Sequence, residues 1–556
     1  MMMREFGSRA PTETGQQQNC QAAVSIRGTA YQLVELMPNH CERFDARLGQ
    51  IVYARPWAMS TKPIRRVSRQ LLVGAAIIAA TCSIGSKVSA QQTDLDIRLM
   101  PDSNRVAIEL TAAPDSSWSF VDSYAGIVGL GRRIERFAAF DAGGGEVSLS
   151  QTAPGQFRSI RPATRLRYEV NLKPVSRAAD FSMISWLDKE RGVLMPLDLL
   201  PVRSGTARPG ENLKIHFQIP AAWAVHSSEL KVSQDEFAIA DVGRAVFAVG
   251  NSLRVSQTEV AGLTLNFVSN GDWAFGDSDV LQLAQQVLKA HRETFGLFPV
   301  KTATFILFPF PLAVGASQWS AETRGTTVTL IMGKLPSRVA ALAQLSTPVT
   351  HEFFHLWIPN ALPLEANYDW FYEGFTIYQA AQAAVKLGLL TFPEFLNSVA
   401  RAYDASKSET KLSLIDASSR RFTGGANSVY AKSQVVAFLY DLRLRCASHN
   451  KRSLADVYRR LIKTVDLNRG GGPTRAQDGS EVVASVLTQE IGSEDFVAFF
   501  VRKPVSINLA SELAPFGLIA EVSGFRTQIS ISEKLNKQQR DLLRELGYNA
   551  ATHAAR

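Results

Sequence analysis

The hydrophobic period of this chain changes near Ala261, and the change fixes the order of its parts. From Gln91 to about Val255, apolar and polar residues alternate in short runs, as in Arg105-Val-Ala-Ile-Glu-Leu and Leu213-Lys-Ile-His-Phe-Gln-Ile. A period of two puts alternate side chains on one face, the pattern of a half-buried strand. Gly143-Gly144-Gly145 and Pro209-Gly210 supply turns. Residues 91–255 are therefore expected to form an all-β domain. Beyond it the spacing becomes helical. Asp279 to Phe295 is amphipathic, Thr302 to Phe308 reads as a strand, and helix follows from Pro336 to about Phe500, within a second domain at 256–505. Gly470-Gly471-Gly472-Pro473 reads as a loop. The tail, 506–556, ends in a short charged helix near Glu533 to Leu546. The expected class is α+β, with strands first and helices second.

With 556 residues, 46% of them hydrophobic, the chain can bury a large core. Its net charge of +9 is mostly a property of the first 90 residues. They hold 11 of the 60 Lys and Arg and 5 of the 51 Asp and Glu, which leaves +3 on the rest. Without a basic patch interleaved with aromatics, nucleic acid is not an expected partner.

The leader reads as a late start followed by a signal peptide at 59–90. Met59 opens a basic segment with Lys62, Arg65, Arg66 and Arg69; Leu71 to Ala80 is apolar, and Val88-Ser89-Ala90 offers the small residues of a cleavage site. The apolar run is too short for a membrane-spanning helix. Residues 1–58 have no clear period and read as an untranslated or disordered extension. Two rival readings stay open: lipidation at Cys82, after a poor lipobox of Ala79-Ala80-Thr81, and twin-arginine export through Arg65-Arg66. Cleavage after Ala90 would leave an exported, periplasmic or secreted protein with Cys446 alone of the four cysteines, and hence no internal disulfide. Cys446 lies in a helical pattern and is expected to be a buried thiol.

Chemistry concentrates in Thr347-Pro-Val-Thr-His-Glu-Phe-Phe-His-Leu-Trp-Ile-Pro359. Thr347 reads as the N-cap, Pro348 as the first helical residue and Pro359 as the stop. His351 and His355, four apart, project from one helix face and suit two nitrogen ligands of one Zn²⁺. Glu352 lies beside them, placed to act on water rather than on the metal. A third ligand is expected from Glu373, near the start of a second helix in Tyr368-Asp-Trp-Phe-Tyr-Glu-Gly that runs to Gly388. A carboxylate in such an aromatic stretch is costly to bury unless something holds it. Tyr430 falls in the first turn of a third helix, which Asn427 is expected to cap. By spacing alone Tyr430 reads as a core or surface residue, with stabilisation of an oxyanion as the functional alternative.

His-Glu-Phe-Phe-His-x-Trp, Trp-Phe-Tyr-Glu-Gly-Phe-Thr-x-Tyr and Val-Tyr-x-Lys, in that order, resemble the glycyl aminopeptidase family of gluzincin metallopeptidases, relatives of the leukotriene-hydrolase-type aminopeptidases. Ser123-Tyr124 through Gly143 resembles that family's N-terminal β domain, and Tyr430 through Tyr458 its helical region. The resemblance implies a thermolysin-like zinc peptidase domain after the β domain. It implies one zinc per chain on His351, His355 and Glu373, Glu352 as general base, Tyr430 as transition-state donor, and a peptide or protein substrate. The chain departs from the family in four places. Val314-Gly-Ala-Ser-Gln-Trp319 lacks the glutamate with which relatives hold a substrate's N-terminus, Glu322 being near but unmatched. Ile358-Pro359-Asn360 replaces a Lys-Arg pair, the 17 residues between His355 and Glu373 are about one fewer than in related aminopeptidases, and the tail is short for a PDZ domain. The alternatives are a non-catalytic envelope protein that keeps zinc for structure, and a zinc hydrolase of non-peptide bonds. The leader reading predicts that mass spectrometry of the exported protein finds an N-terminus near Gln91; a mature protein keeping residues 1–58 would refute it.

Overall fold

A computed structural model describes residues 94–202, 213–365, 367–408, 411–468 and 477–549. The leader, the Pro209-Gly210 turn and the 470–473 loop lie outside the described residues. Alternation becomes sheet wherever it was read. In Asp94–Met100, Leu95, Ile97 and Leu99 turn inward and meet Leu110, Ile108 and Val106 of the antiparallel strand Arg105–Ser119. These strands belong to a nine-stranded sheet that also holds Gln156–Asn171, Ile134–Phe140 and Leu213–Gln218. A smaller four-stranded sheet follows, in the order Trp223–Ser227, Phe247–Asn251, Arg191–Leu194, Trp186–Leu187.

The second region is built on a five-stranded sheet, in the order Arg254–Val260, Leu263–Ser269, Thr302–Pro309, Thr327–Met332, Trp319–Arg324. The three inner strands are parallel and the two edges antiparallel. The inner strands are apolar on both faces because both are covered. Phe267, Phe305, Leu307 and Leu330 face the helical layer, including Asp277–Phe295 and Arg338–Glu352. Val268, Ile306, Phe308 and Ile331 pack with Phe181, Trp186, Val193 and Met195 from the preceding β region. The architecture is an N-terminal β-sheet region followed by a helical one, as the periodicity predicts.

Four local expectations are corrected. The helix bearing His351 does not start at Thr347: it spans Arg338–Glu352, with the Ser337 side chain accepting from the Ala340 N–H as its N-cap. Pro348 sits inside the helix, which continues as a 3₁₀ turn over Phe353–Leu356. Asn427 is itself helical and makes no capping bond; its amide donates to Ser408 Oγ at 3.2 Å. Cys446 is half-buried at the edge of the core rather than enclosed. The tail is no loose appendage, since Leu513, Leu518, Ile529 and Leu542 join the main helical core, and its last helix is Lys537–Glu545. No helix among the described residues is long and apolar enough to cross a membrane.

Candidate metal centre

His351 lies in the last turn of the helix Arg338–Glu352 and His355 in the 3₁₀ turn that prolongs it. Their Nε2 atoms are 3.0 Å apart. Nδ1 of His355 lies 2.8 Å from the Ile358 carbonyl, an acceptor that fixes the proton on Nδ1 and leaves the Nε2 lone pair facing the centre. Glu373 enters from a π-helical turn, Trp370–Phe375, that leads into the helix Thr376–Lys386. Its Oε2 stands 3.3 Å from His351 Nε2 and 3.7 Å from His355 Nε2. Tetrahedral zinc with bonds of about 2.0–2.1 Å holds its donors about 3.3 Å apart, so this triangle has the size one zinc ion requires. Three protein donors leave a fourth position for water or substrate.

The electrostatics also call for a cation. Burial works against a charged His355, yet the Glu373 carboxylate and then Glu352 push it up to about 9. Glu373 is itself held well below the ordinary carboxylate range; burial opposes its charge, and Arg421 followed by the two imidazoles overcomes the opposition. Glu352 does not join the donor triangle. Its Oε2 and its main-chain oxygen lie 2.8 and 2.9 Å from the Thr323 hydroxyl on the edge strand Trp319–Arg324. Burial raises its pKa despite the two imidazoles and that hydroxyl, a shift in the direction a general base needs. Asn360 ties the turn after His355 to the same strand: its side-chain oxygen accepts from the Gly325 N–H at 2.8 Å, and its amide donates to the Thr323 and His355 carbonyls.

Tyr430 lies in a second π-helical turn, Ser428–Lys432, packed against the first. Burial pushes its pKa up, so the phenol keeps its proton and can donate. Arg421, which sequence reasoning missed, connects the parts. Its guanidinium lies 2.8 Å from Glu373 Oε1, donates to the Tyr430 hydroxyl, and reaches Asp369 Oδ1 at 3.3 Å and the Tyr372 hydroxyl at 3.2 Å. Thr323 and Tyr124 were also missed. Tyr124, on a hairpin of the β region, donates to Glu322 Oε1 at 2.7 Å, and Arg324 Nε stands 3.2 Å from the same oxygen. Except for Arg324 on Glu322 and Arg421 on Tyr430, these contacts join residues far apart in sequence, so local spacing gave no signal for them.

No protein-family profile matches the chain, and no curated protein matches it in sequence. Solved structures do resemble it. An aminopeptidase N family protein from Idiomarina loihiensis aligns with a TM-score of 0.65 at 17% identity, over 77% of this chain and 79% of that one. A mutant M1 zinc metallopeptidase from Deinococcus radiodurans, bound to a Tyr-Ser-Ala substrate, gives 0.50 at 13% identity, over 75% of this chain and 95% of that one. At such identities the likeness is one of fold alone, an architecture shared with these solved structures.

The two π turns meet at Gly374. A Cβ there would lie 2.2 Å from Ser433 Cβ and 2.8 Å from the Val429 carbonyl. Gly374→Ala should therefore lower the melting temperature, at the roughly 1–3 kcal/mol typical of overpacking, and weaken metal retention by displacing Glu373. Thermal unfolding and zinc analysis of the purified variant check both; an unchanged variant would show that the turns do not depend on this contact.

Proposed function

We propose that this chain is a gluzincin-type zinc metallopeptidase that hydrolyses peptide bonds. The observation that carries the reading is the donor triangle of His351, His355 and Glu373 with Glu352 beside it and outside it. A structural zinc site has no use for such a carboxylate. When bound, zinc would polarise the scissile carbonyl and acidify a water molecule. Glu352, steadied by Thr323, takes the water's proton and hands it to the leaving amine. Tyr430, held by Arg421, donates to the oxygen on which negative charge develops. Arg421 keeps one oxygen of Glu373 engaged, so the other is presented to the histidines. Thr323 and Arg421 position; Glu352 and Tyr430 act on the reacting atoms. The glycyl aminopeptidase assignment rests on the three sequence motifs, and an exported location on the leader alone.

The amine-anchoring glutamate of the family has no free counterpart here. Glu322 is occupied by Tyr124 and Arg324. N-terminally blocked peptides should accordingly be cleaved at rates comparable to free ones, measured on matched acetylated and unacetylated pairs. A strict demand for a free amine would instead show that another residue provides the anchor, with Glu322 as the first candidate. The general base is tested by Glu352→Gln, which keeps size and removes basicity. Hydrolysis should fall by about 10²–10⁴-fold, with zinc content and melting temperature near wild type. Tyr430→Phe should lose on the order of 10²-fold. Wild-type protein without chelator-sensitive hydrolysis would make the chain a zinc-holding scaffold, and activity surviving Glu352→Gln would place the chemistry elsewhere.

A further inference from the structure

A polar cavity of about 230 Å³ opens among four helices: Asp277–Phe295, Thr376–Lys386, Ser433–Ala447 and the N-terminal turn of Leu454–Asn468. No residue of the donor triangle lines it. Much of its polar wall is already committed. Gln379 Nε2 donates to the Thr294 hydroxyl at 3.4 Å, which donates to the Ala290 carbonyl at 3.2 Å. Arg459 reaches Asp456 Oδ1 and the Glu293 main-chain oxygen, both at 2.9 Å. Three donor groups remain. Gln382 is 3% exposed, and its Nε2 makes no hydrogen bond among the described residues. Arg445 binds Asp441 Oδ2 through Nε at 2.8 Å, and its Nη atoms make no hydrogen bond among the described residues. Lys386 stands exposed at the rim, with no ion pair among the described residues. Ala455, second in a helix of 15 residues, adds the positive end of that helix to the wall.

We propose that this cavity binds a small oxyanion, a phosphate or a carboxylate, held by Gln382, Arg445 and Lys386. A buried amide donor without a partner costs its desolvation, and such a group in a folded chain calls for an acceptor. An oxyanion supplies several acceptors at once and suits the two cationic donors beside it. A cation would meet the reverse: Glu293, exposed at the rim, is the one carboxylate in the wall, against Lys386, Arg445 and Arg459. The volume exceeds the ~150 Å³ that accommodates benzene, so the anion can enter with water or with a short carbon body attached. The site lies toward the far end of the helix that follows the turn of Glu373, and an occupant would tie that helix to its three neighbours. This inference goes beyond the peptidase reading and does not depend on it.

Isothermal titration of the zinc-loaded full chain tests it, with inorganic phosphate, succinate and chloride as probes at fixed ionic strength. Phosphate or succinate should bind. Phosphate alone would identify a phosphoryl group, succinate alone a carboxylate, and both an oxyanion site of broad acceptance. Gln382→Leu, similar in size but without the amide, should weaken binding by about tenfold or more. It should also raise the melting temperature of the unliganded protein, because the unpaired donor is gone. Lys386→Ala, at the surface, should weaken binding by about two- to tenfold with an unchanged melting temperature, and it serves alone if Gln382→Leu fails to fold. Glu293→Gln should tighten binding by about twofold, by removing a like charge at the rim. An anion bound to the zinc would ignore all three substitutions, and that result would overturn the proposal. So would binding by neither oxyanion, or chloride matching both at equal concentration. None of these readouts involves peptide hydrolysis, so failure here and failure of the peptidase reading are separate results.

Discussion

Everything in the centre depends on how the carboxylate of Glu373 is kept charged in the interior. Burial alone opposes its charge, and an isolated ion there is prohibitively costly. Two groups make it tenable, one on each oxygen: the Arg421 guanidinium on Oε1 and the histidine pair on Oε2. The first contact fixes the rotation of the carboxylate and so determines which oxygen points to the metal position. It also recruits Tyr430, because the same guanidinium holds the phenol. Glu373 and Tyr430 are thereby brought to one point by a single buried cation.

The backbone makes this convergence possible. Glu373 and Tyr430 both sit in π-helical turns, a widened geometry frequent at functional sites. Gly374 lets the two turns approach until only a hydrogen fits between them. On the opposite side the edge strand Trp319–Arg324 supplies Thr323 to Glu352, and Asn360 locks that strand to the turn after His355. Asn360 thus has a structural role, as a hydrogen-bonding bracket between the turn and the strand.

The sequence disclosed the parts of the centre that lie close together along the chain. His351, Glu352 and His355 were visible because a helix converts a spacing of four into one face, and Glu373 because a carboxylate among aromatics needs a reason. The change of period located the N-terminal sheets and the helical layer, but of the five-stranded sheet beyond Ala261 only Thr302–Pro309 was read as a strand; Leu263–Ser269, Trp319–Arg324 and Thr327–Met332 were not. What stayed hidden is long-range. Thr323 meets Glu352 across 29 residues, Arg421 meets Tyr372 across 49, and Tyr124 meets Glu322 across 198. The helix start was misread for a local reason: Thr347-Pro348 has the chemistry of an N-terminus, yet a helix packed on a sheet tolerates an interior proline. Tyr430 was legible through resemblance, since nothing in its immediate sequence separates it from a core tyrosine.

The apolar face shared by the four- and five-stranded sheets also matters before the protein is complete. Phe181, Trp186, Val193 and Met195 are synthesised well before the Val268, Ile306, Phe308 and Ile331 that cover them. A growing chain must therefore carry an uncovered, strand-rich greasy surface while some hundred further residues are made, the kind of surface that aggregates when exposed. Vectorial synthesis thus leaves this apolar surface open in every nascent chain. The helical region produced on its own would present the complementary face permanently, and that face would limit its yield in soluble form.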